Sequence, residues 1–477
     1  MDLTVLNLAV PALSKALAPT SSELLWIVDI YGFLVAGSLI PMGTLGDRYG
    51  RRRLLLLGAA AFGLVSVVAA FSTSAPMLIL ARAVLGIAGA TLAPSTLSLI
   101  RNMFLDARQR SVAIAVWITS YSVGGAIGPL VGGFLLAHFW WGSVFLVSVP
   151  VMVLLVLLGP VLLPEFRDPS AGRIDLASAG LSLVAVLAAI LGLKKMAEHG
   201  VALVPVGCMV AGAAAGILFV RRQRTLADPL IDLHLFGSRA FSAALVAYLL
   251  ATLVAFGAFI FIAQYLQLVR GQSPLVAGLW TLPWMGGFIV GSNLAPLITR
   301  RVRPPLLMAC GLALAAVGFG LLAGIDGRSS MALLVTSMTL SSLGLAPVFT
   351  LSTEMIVGTA RAEQAGVAAA ISESSSELGG ALGVAILGSV GIAIYRSGIA
   401  GAVADRVPPE TLEAAQRTLA GALKASAGLP ADLGAELVAA ADAAFIRGMA
   451  VSAMVCAALA IATAVVVMAL IGRDRDP

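Results

Sequence analysis

Charge is what this sequence has least of: Asp, Glu, Lys and Arg together make up 11% of its 477 residues. Soluble domains carry about 25%, so a protein whose whole surface faces water is excluded. Lysine is rarer still, with Lys15, Lys194, Lys195 and Lys424 the full complement. The three cysteines, Cys208, Cys310 and Cys456, stand singly in apolar stretches without ligand spacing, so no disulfide or thiolate metal site is expected and they read as small core residues. His138, His199 and His234 lie apart between apolar runs and form no metal cluster. The lack of a Gly-x-x-x-x-Gly-Lys-Ser stretch disfavours ATP hydrolysis as an energy source. No soluble catalytic domain or nucleophile-base constellation is visible either.

What is present is apolar. Hydrophobic residues make up 60% of the chain, glycine contributes 50 positions, and mean hydropathy is +1.01. This is the composition of an all-α polytopic membrane protein, because only helices or closed barrels satisfy every backbone polar group in hydrocarbon. The net charge of +6 does not point to nucleic acid, since the arginines cluster between apolar runs and therefore orient helices. A span needs about 20 apolar residues, and on that measure the chain divides into fourteen segments. The first, Met1 to Leu17, is short and reads as the outer half of a helix, either shortened or beginning upstream. The others run about Leu24–Met42, Leu54–Phe71, Met77–Ile100, Val112–Ala137, Val144–Leu163, Leu176–Leu193, Val201–Val220, Phe241–Val269, Leu275–Ile298, Leu306–Ala323, Met331–Leu351, Gly366–Tyr395 and Phe445–Ile471.

Between the second and third segments lies Gly43-Thr-Leu-Gly-Asp47-Arg48-Tyr49-Gly50-Arg51-Arg52-Arg53. So much charge cannot sit in hydrocarbon, so the stretch is expected to be a tight turn on the cytoplasmic side. Alternate loops then carry arginine: Arg101, Arg108 and Arg110; Arg167 and Arg173; Arg221, Arg222 and Arg224; Arg300, Arg301 and Arg303; Arg473 and Arg475. Both termini are accordingly expected in the cytoplasm. Lys194 with Lys195, and Arg270, fall on the wrong side of this pattern. Residues 397–444 form the one long polar stretch, expected to be an external loop with one or two amphipathic helices or else an unstructured Ala-rich insertion.

Ser111–Gly128 matches Gly366–Gly383 with both glycine sets in register, and Leu92-Ala-Pro94 recurs as Leu345-Ala-Pro347. The expected layout is a six-helix N-terminal bundle over residues 1–163, two inserted helices and a cytoplasmic linker over 164–238, and a six-helix C-terminal bundle over 239–477. Within the segments a few charges stand out. Arg82 lies in Leu80-Ala-Arg82-Ala-Val-Leu-Gly86, where an unpaired charge costs several kcal/mol, unless it snorkels to the outer end. Asp29, in Trp26-Ile-Val-Asp29-Ile-Tyr31, and Asp2 are flanked by apolar residues, a setting suited to proton exchange or to attracting an organic cation. Glu373 and Glu377 are four apart, hence on one helical face, and replace Ile118 and Ser122 of the matching half. Glu354 reads as an interfacial charge pairing loop arginines. Trp26, Tyr31, Trp117, Tyr121, Trp280 and Trp284 lie at depths where aromatic faces could stack on a delocalised cation.

Two motifs carry a family resemblance. The Gly43–Arg53 stretch resembles the cytoplasmic loop signature of the major facilitator superfamily. Gly124-Gly-Ala-Ile-Gly128-Pro129-Leu-Val-Gly132-Gly133 resembles the signature of its proton-driven antiporters. Together with Asp2–Pro11, Trp26–Tyr31, Arg82, Pro94-Ser-Thr and Glu373–Leu378, nearly the whole chain is similar to the fourteen-helix drug:proton antiporter family. The resemblance implies a major facilitator fold in a bacterial cytoplasmic membrane, exporting lipophilic organic cations such as quaternary ammonium antiseptics and dyes in exchange for protons. It implies Asp2, Asp29, Glu373 and Glu377 as the protonatable set, Arg82 as the proton-coupling arginine, and no cofactor beyond the proton gradient. Phe288 stands where some relatives have an acid that aids dicationic substrates. The expected partners are small lipophilic cations, protons and the lipid bilayer, with no nucleic acid and a monomer as the working unit. An exporter of an endogenous metabolite, lipid, siderophore or antibiotic would share these motifs. A membrane sensor or polytopic enzyme is the more distant alternative.

Overall fold

The computed structural model describes residues 2–167, 175–199, 202–226, 228–327, 329–403 and 406–471, and within them not the side chains of residues 2–4, 7, 8, 11, 21, 22, 25, 129, 197–199, 274 and 403. Every regular element among these residues is helical. In chain order the helices are α1 (Asp2–Leu17), α2 (Ser21–Tyr49), α3 (Arg51–Ala70), α4 (Ala75–Gly89), α5 (Leu92–Met103), α6 (Ala107–His138), α7 (Ser148–Leu162), α8 (Leu176–His199) and α9 (Leu203–Gln223). They continue as α10 (Arg239–Gln264), α11 (Pro274–Trp280), α12 (Leu282–Ile298), α13 (Pro304–Ala323), α14 (Met331–Thr359), α15 (Ala365–Val403), α16 (Pro409–Arg417), α17 (Leu419–Ser426) and α18 (Ala431–Leu470). Thirteen runs among the described residues are long and apolar enough to cross a membrane. With α1, whose 16 residues fall short of the roughly 20 needed, they account for the fourteen segments.

Local chemistry explains where these helices start and break. Thr20 and Glu23 form a reciprocal capping box at the head of α2, with Glu23 N donating to Thr20 Oγ1 at 3.2 Å and Thr20 N to Glu23 Oε2 at 2.9 Å. The Asp106 carboxylate accepts from the Arg108 and Gln109 amides at 3.0 Å and opens α6. The fourth expected segment is split into α4 and α5, because Pro94 can neither donate to nor pack beside the carbonyl four residues back. Pro283 accompanies the break between α11 and α12 in the same way. α6 runs through Pro129 without interruption.

Polar sequence does not end a helix where apolar sequence does, and several expected boundaries move for that reason. The Gly43–Arg53 stretch is not a turn of eleven residues: α2 continues through Asp47 and Arg48 to Tyr49, and Gly50 alone joins it to α3. Residues 397–444 are largely helical, taken up by the end of α15, by α16 and α17, and by the start of α18.

The chain divides into two compact units, Met1–Tyr248 with Phe349–Leu378 and Leu249–Val348 with Gly379–Pro477. In the first, Val5, Leu6, Leu13, Ile27, Leu78, Leu85 and Phe145 form a common apolar core. The inserted pair α8 and α9 belongs to this unit and packs on α2 as well as on itself. Its open end is tied by Arg222, which donates to both oxygens of Asp175 at 2.6 and 3.0 Å. Those bonds and one from Ser178 hold the Asp175 carboxyl well below the usual carboxylate range. In the second unit, a methyl on Gly311 of α13 would lie 2.5 Å from the Gly344 carbonyl of α14, so two helix backbones touch there. The internal repeat has a packing counterpart. Gly132 of α6 faces Val5 of α1 in one unit, and Gly379 of α15 faces the Leu249 carbonyl of α10 in the other.

Candidate functional site

The first site is built on the one-residue joint between α2 and α3. Gly50 adopts φ +119°, which side-chain-bearing residues rarely take, and a Cβ there would stand 2.8 Å from Glu165 Oε1. Glu165, after the last turn of α7, accepts from the Arg52 and Arg53 amides at 3.1 Å and so caps α3. Arg52 Nη1 in turn donates to the Leu163 carbonyl at 2.9 Å. Gly50→Ala is therefore expected to cost about 1–3 kcal/mol, read as a lower thermal-unfolding midpoint of the detergent-purified protein by size-exclusion fluorescence.

Asp47, on the last turns of α2, reaches across to the start of α15. Its carboxylate accepts from the Gly366 amide at 2.9 Å and the Val367 amide at 3.0 Å, two of the donors a helix leaves unpaired at its N-terminus. Arg51 completes the arrangement, donating from Nε to Asp47 at 2.9 Å and from Nη2 to the Ala362 and Glu363 carbonyls at 2.6 and 3.0 Å. The two side chains are 1% and 6% exposed, so this ion pair works away from water. Gly43 makes the approach possible, since a methyl there would lie 2.5 Å from the Gly366 carbonyl and 2.7 Å from the Ala370 methyl. Arg101 adds a bond to the Val357 carbonyl near the end of α14 at 3.3 Å. Arg48 lines a neighbouring cleft of about 960 Å³ together with Gln223, Asp232, Arg361 and Gln364. Glu354 lies inside α14, half-buried, with Arg110 as its charged neighbour.

Deeper in the same unit, Glu373 and Glu377 project one turn apart from α15. Glu373 is half-buried, and its Oε1 has no hydrogen-bond partner among the described residues. Glu377 is exposed. The phenols of Tyr121 on α6 and Tyr248 on α10 lie within electrostatic range of both carboxylates. Tyr121 lies tilted against Trp117 at 4.7 Å, Trp117 Nε1 donates to Thr96 Oγ1 at 3.0 Å, and Tyr248 packs edge-on against Phe349 at 5.2 Å. Two carboxylates beside rigid aromatic faces can take up protons or an organic cation.

Asp29 does not join that group. It forms an ion pair with Lys194 of α8, beside Trp26 and Phe33 on the same face of α2. Arg82 is fully buried, so it does not snorkel. Its Nη2 donates to the Val28 carbonyl at 3.3 Å, and its guanidinium lies 5.0 Å from the Tyr31 ring and 6.0 Å from that of Phe145. The Tyr31 face thus already serves a cation of the chain itself. Trp284, expected on the cavity, is 6% exposed and packs edge-on against Phe259, which makes it a core residue of the second unit, where Trp280 is half-buried. Gly124 and Gly133 are half-buried and Gly128 and Gly132 buried along α6.

Lys194, Glu165 and Tyr248 contribute as well, although the sequence does not mark them as site residues. The signals available were a lysine on the wrong side of the charge pattern and an acid directly following an apolar run.

Comparison with known proteins places this geometry. The Major Facilitator Superfamily pattern matches residues 1–384. The chain is 42% identical over 467 residues to the multidrug efflux pump LfrA of Mycolicibacterium smegmatis, covering 98% of this chain and 92% of that protein. It is 38% identical to the methyl viologen resistance protein SmvA of Salmonella typhimurium over 81% of this chain and 79% of that one. To the tetracenomycin C resistance and export protein of Streptomyces glaucescens it is 31% identical, over 100% and 89%. Two solved structures share the fold. The human organic anion transporter MFSD10 has a TM-score of 0.60 at 17% identity, over 96% of this chain and 88% of that one. An inward-facing bacterial homologue of the human lysosomal transporter Spinster has 0.56 at 18%, over 100% and 95%. The chain belongs to the major facilitator superfamily and is a multi-pass efflux transporter, not an enzyme.

Proposed function

We propose that this protein is a proton-coupled antiporter exporting lipophilic organic cations, antiseptics and dyes among them, across a bacterial cytoplasmic membrane, with the arginine-bearing helix ends and both termini inside. The observation that carries the reading is the pair Glu373 and Glu377, one turn apart within a membrane-spanning helix, within electrostatic range of Tyr121 and Tyr248 and including a buried carboxylate oxygen without a donor among the described residues. A proton or a cation restores the interaction that oxygen lacks, and only one of the two can do so at a time. In alternating access, a cation taken from the inside binds the deprotonated acids and the aromatic faces, and protonation from the outside expels it. Asp29 and Arg82 would assist from α2 and α4, and Asp2 from α1. The contact between Asp47 and the start of α15 would hold one of the two access states.

Adding tetraphenylphosphonium to the purified protein in weakly buffered detergent near neutral pH is expected to release protons. Glu373→Gln and Glu377→Gln should each diminish the release. Saturable binding by the wild type without any proton release would rule out the coupling. A second reading, export of an antibiotic or other metabolite, draws on the full-length match to the tetracenomycin C resistance and export protein. Under it, organic cations would neither bind nor compete.

A further inference from the structure

The two lysines that break the charge pattern of the sequence sit near the end of α8, and one of them has a partner in the membrane. Leu183 and Leu187 of α8 press on Gly37 of α2, with Leu183 Cδ1 at 2.7 Å from where a Cβ would stand. Two turns further along the same face of α8, Lys194 meets Asp29. The Lys194 ammonium also lies 5.7 Å from the centre of the Phe33 ring, and Phe33 packs edge-on against Trp26. A carboxylate with an aromatic face beside it is the arrangement an organic cation would use, and here a side chain of the protein uses it.

We propose that Lys194 is a tethered cation that occupies Asp29 in the substrate-free transporter and that an incoming cation must displace, so that the inserted α8–α9 pair tunes selectivity for cation charge. This rests on the cation-export reading above. The Asp29 and Lys194 side chains are 16% and 37% exposed, so both remain reachable, and a lysine stem can swing its head toward the interface when displaced. Among the other charges on the elements nearby, two are committed elsewhere. Arg82 bonds the Val28 carbonyl and lies over Tyr31, Glu23 belongs to the Thr20 capping box, Lys15 of α1 is exposed, and Lys195 is half-buried next along α8. With Lys194 in place the local pair is neutral to an approaching ligand. Without it, the ligand meets a bare carboxylate, whose attraction grows in proportion to the ligand's charge.

That proportionality separates the proposal from a purely structural role. Binding of tetraphenylphosphonium, a monocation, and methyl viologen, a dication, is measured by equilibrium dialysis on the full chain in lipid nanodiscs. Lys194→Met is expected to tighten the monocation about fivefold and the dication about 25-fold, twice the change on a logarithmic scale. Lys194→Arg should return both toward wild type, and in an Asp29→Asn background removal of Lys194 should change neither. Lys194→Gln gives the same readout should the methionine variant fail to fold. If the wild type binds tetraphenylphosphonium and neither neutral variant binds the two cations more tightly, or both affinities shift equally, Lys194 is a structural brace and the proposal falls. If the wild type binds no tetraphenylphosphonium at all, the cation-export reading itself fails.

Discussion

Replacing Glu373 and Glu377 together by glutamine is expected to abolish proton-driven export while leaving the helices in place. Glutamine keeps the shape and length of glutamate, so the packing of α15 against its neighbours is unchanged. It can no longer carry negative charge or exchange a proton. Loss of a charge-assisted contact of about 1.5–3 kcal/mol weakens a cation by roughly 10- to 100-fold, and the coupling disappears altogether because no carboxyl group remains in the membrane-embedded first third of α15. In inverted vesicles energised by a proton gradient, dye accumulation by the double variant should be indistinguishable from that of empty vesicles at equal protein abundance. Glu373→Gln alone should be the more severe single change, since the donorless buried oxygen belongs to Glu373. Undiminished gradient-driven accumulation by the double variant would remove the acids from the mechanism.

Asp47→Asn should produce the opposite kinetic signature, a slow transporter that still binds. Its carboxylate serves two backbone amides of α15 and a nearly inaccessible arginine at once. Removing one partner of a buried ion pair costs about 3–5 kcal/mol, because Arg51 is left charged and uncompensated. That penalty falls only on the access state in which the contact is made. A bias of this size moves a two-state equilibrium by some two to three and a half decades. Turnover should fall at least tenfold while cation affinity, set elsewhere on α15, stays within a factor of about three. A loss confined to affinity, with turnover intact, would show that the contact is not part of the conformational cycle.

The helices were legible because every apolar run after the first is long enough to demand a span, and the two acids of α15 because a spacing of four needs no tertiary information. Where the sequence misled, the cause was a property hydropathy does not register. Asp47 and Arg48 look like loop residues, yet α2 continues through them, since no proline or positive φ falls between Pro41 and Gly50. Trp284 has the composition of a cavity residue, but its placement depends on Phe259, which a reading of one segment cannot supply. Lys194 illustrates the same limit: its charge was visible as an anomaly, but its partner Asp29 lies 165 positions earlier in the chain and only packing of α8 on α2 brings them together. Glu165 was hidden because a cap from another helix leaves no local signature.

The helix that Asp47 caps is the helix that carries Glu373 and Glu377. At about 1.5 Å per residue, Gly366 and Glu373 are separated by only roughly 10 Å of unbroken helix, and no proline or π-turn intervenes. A change of charge at the acids and a change of grip at Asp47 are thus two loads on one stiff rod. No relay of side chains has to be found between them: shifting or tilting that single element is sufficient transmission, and any substitution that bends α15 between residues 366 and 373 should uncouple the two ends while leaving each chemically intact.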